Sequence, residues 1–152
     1  MSYDLMVFET ANAPKNKKDF MQWYAQQTEW GEDHDHASIE VASPALQNWF
    51  MEMKETFPPM NGPFAPDDAM LMADSSLEER LTDYCIGHEV IYMAFAWSLA
   101  EEAYELTRDL AQKYGVGFFD VSSEEGDIIL PESVDRQEST RSLWSKWKQR
   151  RK

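Results

Sequence analysis

The sequence predicts an α+β fold: a mixed sheet of four to five strands with about three helices packed on it as a two-layer sandwich. Three observations lead to this prediction. Residues 44–57 and 98–115 carry apolar side chains at helical spacing, whereas residues 82–97 are rich in β-branched and aromatic side chains. The 152 residues, 43% of them hydrophobic, suffice for one domain with a substantial core. The predicted element order is β-α-α-β(β)-α-β-β.

The chain is predicted to begin with a strand and a helix. Residues 3–9 place apolar side chains on both faces of an extended segment, which is typical of an interior strand. Pro14 fits the first turn of a helix that runs to about Gln27, because proline is well tolerated at the first helical positions. The segment after this helix has neither helical nor strand periodicity and predicts an acidic loop over residues 29–40.

The second predicted helix has clear signals at both ends. Ser43 is a suitable N-cap and Pro44 a suitable first residue, and the helix ends before the prolines at 58 and 59. The residues that follow, 60–81, begin with a proline-rich stretch and continue with a weak pattern of small and acidic residues. They predict a loop.

The middle of the chain predicts the core of the sheet and the best-defined helix. Residues 82–97 are divided by Gly87 into a short strand and a longer one that is apolar on both faces. Ser98 and Glu101 form a capping box at the start of the next helix, and Gly115 ends it.

Two further strands close the predicted domain, at residues 116–121 and 127–130, with a turn at 123–126 between them. The strand, helix and strand across residues 90–121 form a right-handed crossover, which makes those two strands parallel to each other. The last hairpin then returns antiparallel.

Charge is divided between two blocks. Residues 1–135 hold 27 of the 28 acidic residues and 7 of the 14 basic ones, for a formal charge of −20; residues 136–152 hold the other 7 basic residues and Glu138, for +6. We therefore expect an acidic domain at 1–132 and a basic, tryptophan-containing tail at 133–152 that has a helical pattern. An acidic body repels phosphates and attracts cations, so it favours a basic protein partner and disfavours direct binding of nucleic acid.

Other features exclude several classes of protein. The single cysteine, Cys85, cannot form an intramolecular disulfide, and no segment resembles a signal peptide or a membrane span. Motifs for nucleophilic catalysis, for phosphate binding and for zinc proteases are absent from the sequence. The sequence therefore predicts a cytoplasmic protein with no cofactor, and it assigns no catalytic residue.

Two histidine positions have the residue types of a functional site. His34 and His36 lie in the acidic loop and carry ligand types that suit a divalent metal, but they could share a metal only if the backbone of the loop brought them together, and a solvated loop is favoured. His88 is followed by Glu89, a pair that allows acid/base chemistry and that more commonly makes structural hydrogen bonds. A small metal- or ligand-binding enzyme that uses these residues is the alternative hypothesis for function.

Aromatic residues and the tail also have two interpretations each. Trp23, Trp30, Trp49 and Phe50 would suit a ligand pocket or an interface, although helical spacing favours core packing, with Trp30 the best candidate for exposure. The tail, residues 136–152, would suit contact with an anionic partner, or it would lie on the acidic body of its own chain.

Five segments resemble a family of small, acidic, mostly uncharacterised bacterial proteins. They are YDLMVFE (3–9), WFMEM (49–53), FPPMNGP (57–63), VIYMAFAW (90–97) and GVGFFDV (115–121). The resemblance covers about residues 3–131 and leaves out the basic tail. It implies a shared fold, and it implies a role as an immunity protein that neutralises a toxin of interbacterial competition. It carries over no catalytic residue.

The charge of the body supports the same function. Toxins that attack nucleic acid need basic clefts, and an inhibitor with a rigid acidic surface binds such a cleft quickly and blocks it. The contact residues of such an inhibitor are exposed carboxylates with an aromatic anchor. The predicted partner-binding residues are Glu29, Trp30, Glu32, Asp33 and Asp35 in the acidic loop and Asp67 and Asp68 on the proline-rich loop.

Overall fold

A five-stranded sheet and five α-helices make up the described part of the chain and confirm the predicted α+β class. The structure, a computed structural model, describes residues 2–11, 13–29, 31, 38–123 and 126–131. The elements are β1 (Tyr3–Phe8), α1 (Lys17–Gln27), α2 (Pro44–Thr56), α3 (Asp68–Ala73), α4 (Ser76–Arg80), β2 (Asp83–Ile86), β3 (Val90–Phe95), α5 (Ala100–Tyr114), β4 (Gly117–Phe119) and β5 (Ile128–Ile129). None of the helices within these residues is long and apolar enough to cross a bilayer.

The first strand of the chain lies at the centre of the sheet. The strand order is β2-β3-β1-β4-β5, and Val7 of β1 is paired with Ile91 of β3 on one side and with Phe118 of β4 on the other. β3 and β4 run parallel to each other, as predicted, but β1 separates them and is antiparallel to both. The four neighbouring pairs of strands are all antiparallel, which corrects the predicted mixed sheet. The sequence shows that a helix joins β3 to β4 but contains no local signal for the strand inserted between them.

Helices cover both faces of the sheet, so the predicted two-layer sandwich is also corrected. On one face, Met6 and Phe8 of β1 pack with Phe20 of α1. On the other face, Leu5 and Val7 of β1 pack against α2 and α5. The two sets alternate along β1 because successive side chains of a strand point to opposite faces. Apolar residues on both faces of β1 thus have a partner layer on each side.

The larger core lies between the sheet and the helices α2 and α5. Trp49 of α2 is fully buried there, and its indole Nε1 donates a hydrogen bond to the Thr107 carbonyl of α5 at 3.3 Å. Phe50 is buried beside it, whereas Trp23 of α1 is half-buried on the opposite face, against Phe8. Core packing of Trp49 and Phe50 is confirmed, and Trp30 lies outside the described residues.

Helix α1 begins three residues later than the position of Pro14 suggests. Its N-cap is Asn16, whose side-chain oxygen accepts a hydrogen bond from the Asp19 amide at 2.8 Å. An asparagine in this position satisfies an amide that has no partner within the helix, which a proline cannot do. By contrast, Ser43 caps α2 as predicted, by accepting from the Leu46 amide at 3.3 Å.

The capping box predicted for α5 is not formed. The Ser98 hydroxyl donates instead to the Glu79 carboxylate, and Leu99 occupies the N-cap position without a side-chain hydrogen bond. The other end of α5 is as predicted, since Gly115 has a φ of 73°, in the left-handed region that glycine adopts without strain. A distant carboxylate therefore competes successfully with the local cap.

Three of the tyrosines have strongly raised pKa values, and we therefore expect the protein to lose stability at alkaline pH. Burial, followed by the nearby Asp120 carboxylate, raises the pKa of Tyr3 to about 12. Burial also raises the pKa of Tyr84, whose hydroxyl donates to the Phe57 carbonyl at 2.7 Å, and that of Tyr92, whose hydroxyl donates to Asp4. The unfolded chain releases these protons near the ordinary tyrosine pKa of about 10, before the folded chain does.

The free energy of unfolding should therefore be insensitive to these groups below pH 10 and should fall as the pH rises from about 10 towards about 12. Urea unfolding at a series of pH values measures it. Tyr84→Phe removes one titrating group and should reduce the slope. A free energy of unfolding that stays constant over this pH range would contradict the prediction.

Candidate protein-binding surface

A long excursion leaves the core between α2 and β2. We call residues 60–81 the excursion. Pro58 and Pro59 precede it, and the chain returns to the core at Thr82. The Thr82 amide donates to the Pro58 carbonyl at 2.9 Å, and the Met60 amide donates to the Thr82 carbonyl at 2.9 Å. Thr82 itself is fully buried. These two bonds close the excursion at its base, so its two ends leave and rejoin the core at one place.

The excursion is helical where the sequence predicts a loop. α3 is capped by Asp67, whose carboxylate accepts a hydrogen bond from the Met70 amide at 2.8 Å. Asp74 then accepts from the amide and the hydroxyl of Ser76, at 3.0 and 2.6 Å, and these hydrogen bonds lower the pKa of its carboxyl group. Helices of five and six residues are too short to show an apolar stripe, so the Asp67 cap is the local signal that reveals α3, whereas Ser75 at the N-cap of α4 makes no side-chain cap hydrogen bond.

Polar contacts tie the end of the excursion to the core. Arg80 donates two hydrogen bonds to the Glu102 carboxylate of α5, one of them at 3.1 Å, and its guanidinium lies 5.4 Å from the centre of the Phe57 ring. The hydrogen bond between these side chains lowers the pKa of Glu102. One residue before, Glu79 accepts the hydrogen bond of Ser98. The excursion is thus held against the N-terminal end of α5.

An aromatic contact holds the first part of the excursion, around Phe64, against α2. Phe64 lies 6.0 Å from Phe50, between ring centres, and the ammonium group of Lys54 lies 5.1 Å from the Phe64 ring. Phe64 nevertheless remains 40% exposed. The excursion therefore presents an apolar ring at the surface beside a fixed helix.

Exposed apolar side chains are concentrated on the excursion. Eight large apolar residues of the described segments are exposed, and four of them belong to it: Met60, Phe64, Met70 and Met72. Met72 is 86% exposed. Unbranched, polarizable methionine side chains adapt to different partner shapes, and exposed apolar groups rimmed by charge are typical of interaction surfaces.

The charges of the excursion are nearly all negative. It has one basic residue, Arg80, which is paired with Glu102. Its acidic residues are Asp67, Asp68, Asp74, Glu78 and Glu79. Carboxylates around apolar anchors match a partner that is basic and partly apolar, since the charges steer the encounter and the apolar groups stabilise the complex.

The structure places only part of the predicted partner-binding site. Asp67 and Asp68 lie on the excursion, Asp67 as the cap of α3 and Asp68 exposed in its first turn. Glu29 is exposed just after Thr28, the C-cap of α1, which packs on the opposite face of the sheet from α2. The other predicted residues, Trp30, Glu32, Asp33 and Asp35, lie outside the described residues. Among the described residues of the predicted site, Glu29 thus follows a helix on one face of the sheet, whereas Asp67 and Asp68 lie after a helix on the other face.

Trp97 is an exposed aromatic residue whose exposure the strand pattern of the sequence did not reveal. The sequence assigns it to a strand, but β3 ends at Phe95, and Trp97 begins a short 3-10 turn that leads into α5. The residue is 49% exposed, and its ring lies 5.1 Å from the Tyr3 ring, between centres. The next residue, Ser98, binds Glu79 of the excursion. Trp97 therefore adds an aromatic anchor beside the acidic surface.

His88 has a structural position in the turn between β2 and β3. Its ring Nδ1 lies 2.8 Å from the Val41 carbonyl, which can only accept, so this nitrogen carries the proton and donates. The carbonyl of His88 accepts from the Ser43 amide at 3.1 Å, and that of Glu89 accepts from the Glu9 amide at 2.8 Å. These bonds join the turn to β1 and to the start of α2.

The structure bears on the metal hypothesis only in part. His34 and His36 lie outside the described residues. Among the residues that are described, His, Cys, Asp and Glu side chains form no group of three or more with the spacing of a metal site. An open cavity of about 290 Å³ lies beside the start of α1, where Lys15, Lys17 and Asp127 contribute side chains that are all exposed. The mixed charges and exposure of this cavity do not favour a specific ligand.

The comparisons with known proteins identify no relative. No family model matches the chain, and searches of curated proteins and of solved structures return no match.

Proposed function

We propose that this chain is an immunity protein, which binds and neutralises a basic toxin domain of nuclease type in the bacterial cytoplasm. The observation that carries the proposal is the composition of the excursion. It combines five carboxylates with four exposed apolar side chains on a segment that is fixed to α2 and α5. A basic nucleic-acid-binding cleft is the protein surface that such a combination fits best.

Two further features support the proposal. The body of the chain, residues 1–135, carries a formal charge of −20, which would accelerate association with a basic partner over a longer distance than direct contacts. The resemblance to small acidic bacterial proteins implies the same role. We place the toxin contact on the excursion with Trp97 at its edge, and the acidic loop at 29–35 is a second surface for the same partner.

Co-purification with the product of the neighbouring gene tests the proposal. Genes for a toxin and its immunity protein must be inherited together, so we expect a gene for a large secreted protein with a basic C-terminal domain immediately upstream. The tagged chain should retain that domain at low salt and release it progressively as the salt concentration rises, because exposed charge pairs are screened within about 10 Å at 0.1 M salt. An upstream metabolic operon, or no association at low salt, would contradict the proposal.

A further inference from the structure

We propose that the basic C-terminal segment of this same chain, residues 136–152, docks on the excursion. It would occupy the surface that the toxin domain uses, in competition with it. The docking itself is argued from the residues of the chain alone, whereas the competition rests on the proposed function.

Charge complementarity is the first argument. Residues 136–152 carry seven basic side chains against Glu138, a formal charge of +6. The excursion carries five acidic side chains and Arg80, whose charge is already paired with Glu102. Opposite charges of this size on one chain are at a high effective concentration, because the polypeptide tethers them to each other.

Apolar complementarity selects the excursion among the acidic surfaces. The segment has Leu143, Trp144 and Trp147 at helical spacing among its basic residues, and these side chains need an apolar contact. Helix α5 also exposes carboxylates, but none of the eight exposed large apolar side chains lies on it. Four of the eight lie on the excursion, and three of these are methionines, which adapt well to a bulky indole.

The length of the chain permits the contact. The last described residues lie beside the end of α5, where the Gln112 side chain donates to the Leu130 carbonyl at 3.3 Å. The excursion is bound near the start of the same helix, through Glu102. The two places are about 15 Å apart along the helix, at 1.5 Å per residue. The twelve residues that follow Pro131, up to Leu143, reach up to about 40 Å when extended.

NMR of the full chain with ¹³C-labelled methionine methyl groups tests the docking without any partner. We expect the signals of Met60, Met70 and Met72 to differ between the natural chain and a variant with Leu143→Ser, Trp144→Ser and Trp147→Ser, by more than a line width, because indole rings shift nearby methyl signals. Met21 is exposed on α1, on the other face of the sheet, and is the matched control that should not move. Added salt should shift the natural signals towards those of the variant.

A nitroxide attached through Ser145→Cys, in a Cys85→Ser background, provides a second and independent measurement. It should broaden the same three methyl signals in a chain that carries both labels. Broadening of Met21 alone, or of no methionine, would overturn the proposal. Equal broadening in a mixture of chains that carry only the nitroxide and chains that carry only the ¹³C label would also overturn it, since the tail of a second copy would then be the occupant.

These outcomes are separate from those that test the proposed function. The methionine signals report docking even if no toxin exists, and co-purification reports the toxin even if the tail does not dock. If both hold, the variant that lacks Leu143, Trp144 and Trp147 should bind the toxin domain faster than the natural chain does.

Discussion

Trp49→Ala is expected to lower the free energy of unfolding by about 3–5 kcal/mol, the usual cost of truncating a buried aromatic residue to alanine. Trp49 is fully buried between the sheet and α5, and it donates a hydrogen bond to the Thr107 carbonyl. The alanine variant loses this bond and leaves a cavity that the rigid neighbours fill only in part. Urea unfolding followed by circular dichroism measures the change.

The matched control is Trp97→Ala, which removes the same side chain from a position that is 49% exposed. Its cost should be limited mainly to the ring contact with Tyr3, about 0.5–1.5 kcal/mol. If Trp49→Ala prevents folding altogether, Trp49→Phe provides a measurable intermediate. Equal losses for the two alanine variants would show that Trp49 is not the centre of the core.

Charge reversal on the excursion is expected to have the largest effect on partner binding. Asp68→Lys with Glu78→Lys should reduce the rate of association with the toxin domain at low salt by about 10-fold or more, because electrostatic steering contributes factors of about 10 to 1,000. Both side chains are exposed. Asp67 is left unchanged because its carboxylate caps α3, and its loss would alter the fold of the surface as well as its charge. Surface plasmon resonance at several salt concentrations measures the rates.

The control for this experiment carries the same change in net charge at another place. Asp109→Lys with Asp127→Lys reverses two exposed carboxylates, on α5 and next to β5, outside the excursion. It should change the association rate much less. Glu32→Lys with Asp33→Lys tests the acidic loop in the same way. If the control or the loop variant has the greater effect, the toxin contact does not lie on the excursion.

Local signals account for the parts of the fold that the sequence predicted well. Ser43 and Pro44 mark the start of α2, and Gly115 marks the end of α5, because caps depend on residues within one turn of the helix. The capping box predicted at the start of α5 is also a local signal, but it failed because a different hydrogen-bond partner competed for the same hydroxyl group. Ser98 stands three residues before Glu101 in a good capping sequence, yet its hydroxyl binds Glu79 of the excursion. A cap is worth only about 1 kcal/mol, so a distant carboxylate can displace it.

The sequence predicted only part of the candidate site, because the rest of the site depends on contacts between residues that are distant in the chain. The sequence identified Asp67 and Asp68 as exposed acidic residues near a proline-rich stretch, and both lie on the excursion. It did not identify Met70 and Met72 as surface residues, because methionine is usually buried. Their exposure follows from how the excursion closes at Thr82, which keeps it outside the core.

The sequence by itself determined the α+β class, the interior position of the first strand and the division of charge between body and tail, because composition and periodicity are properties of short segments. The tertiary structure decided that β1 separates β3 from β4, that helices cover both faces, and that acidic and methionine side chains are presented together between α2 and β2. These features depend on contacts between residues far apart in the chain, whose free energies local patterns do not contain.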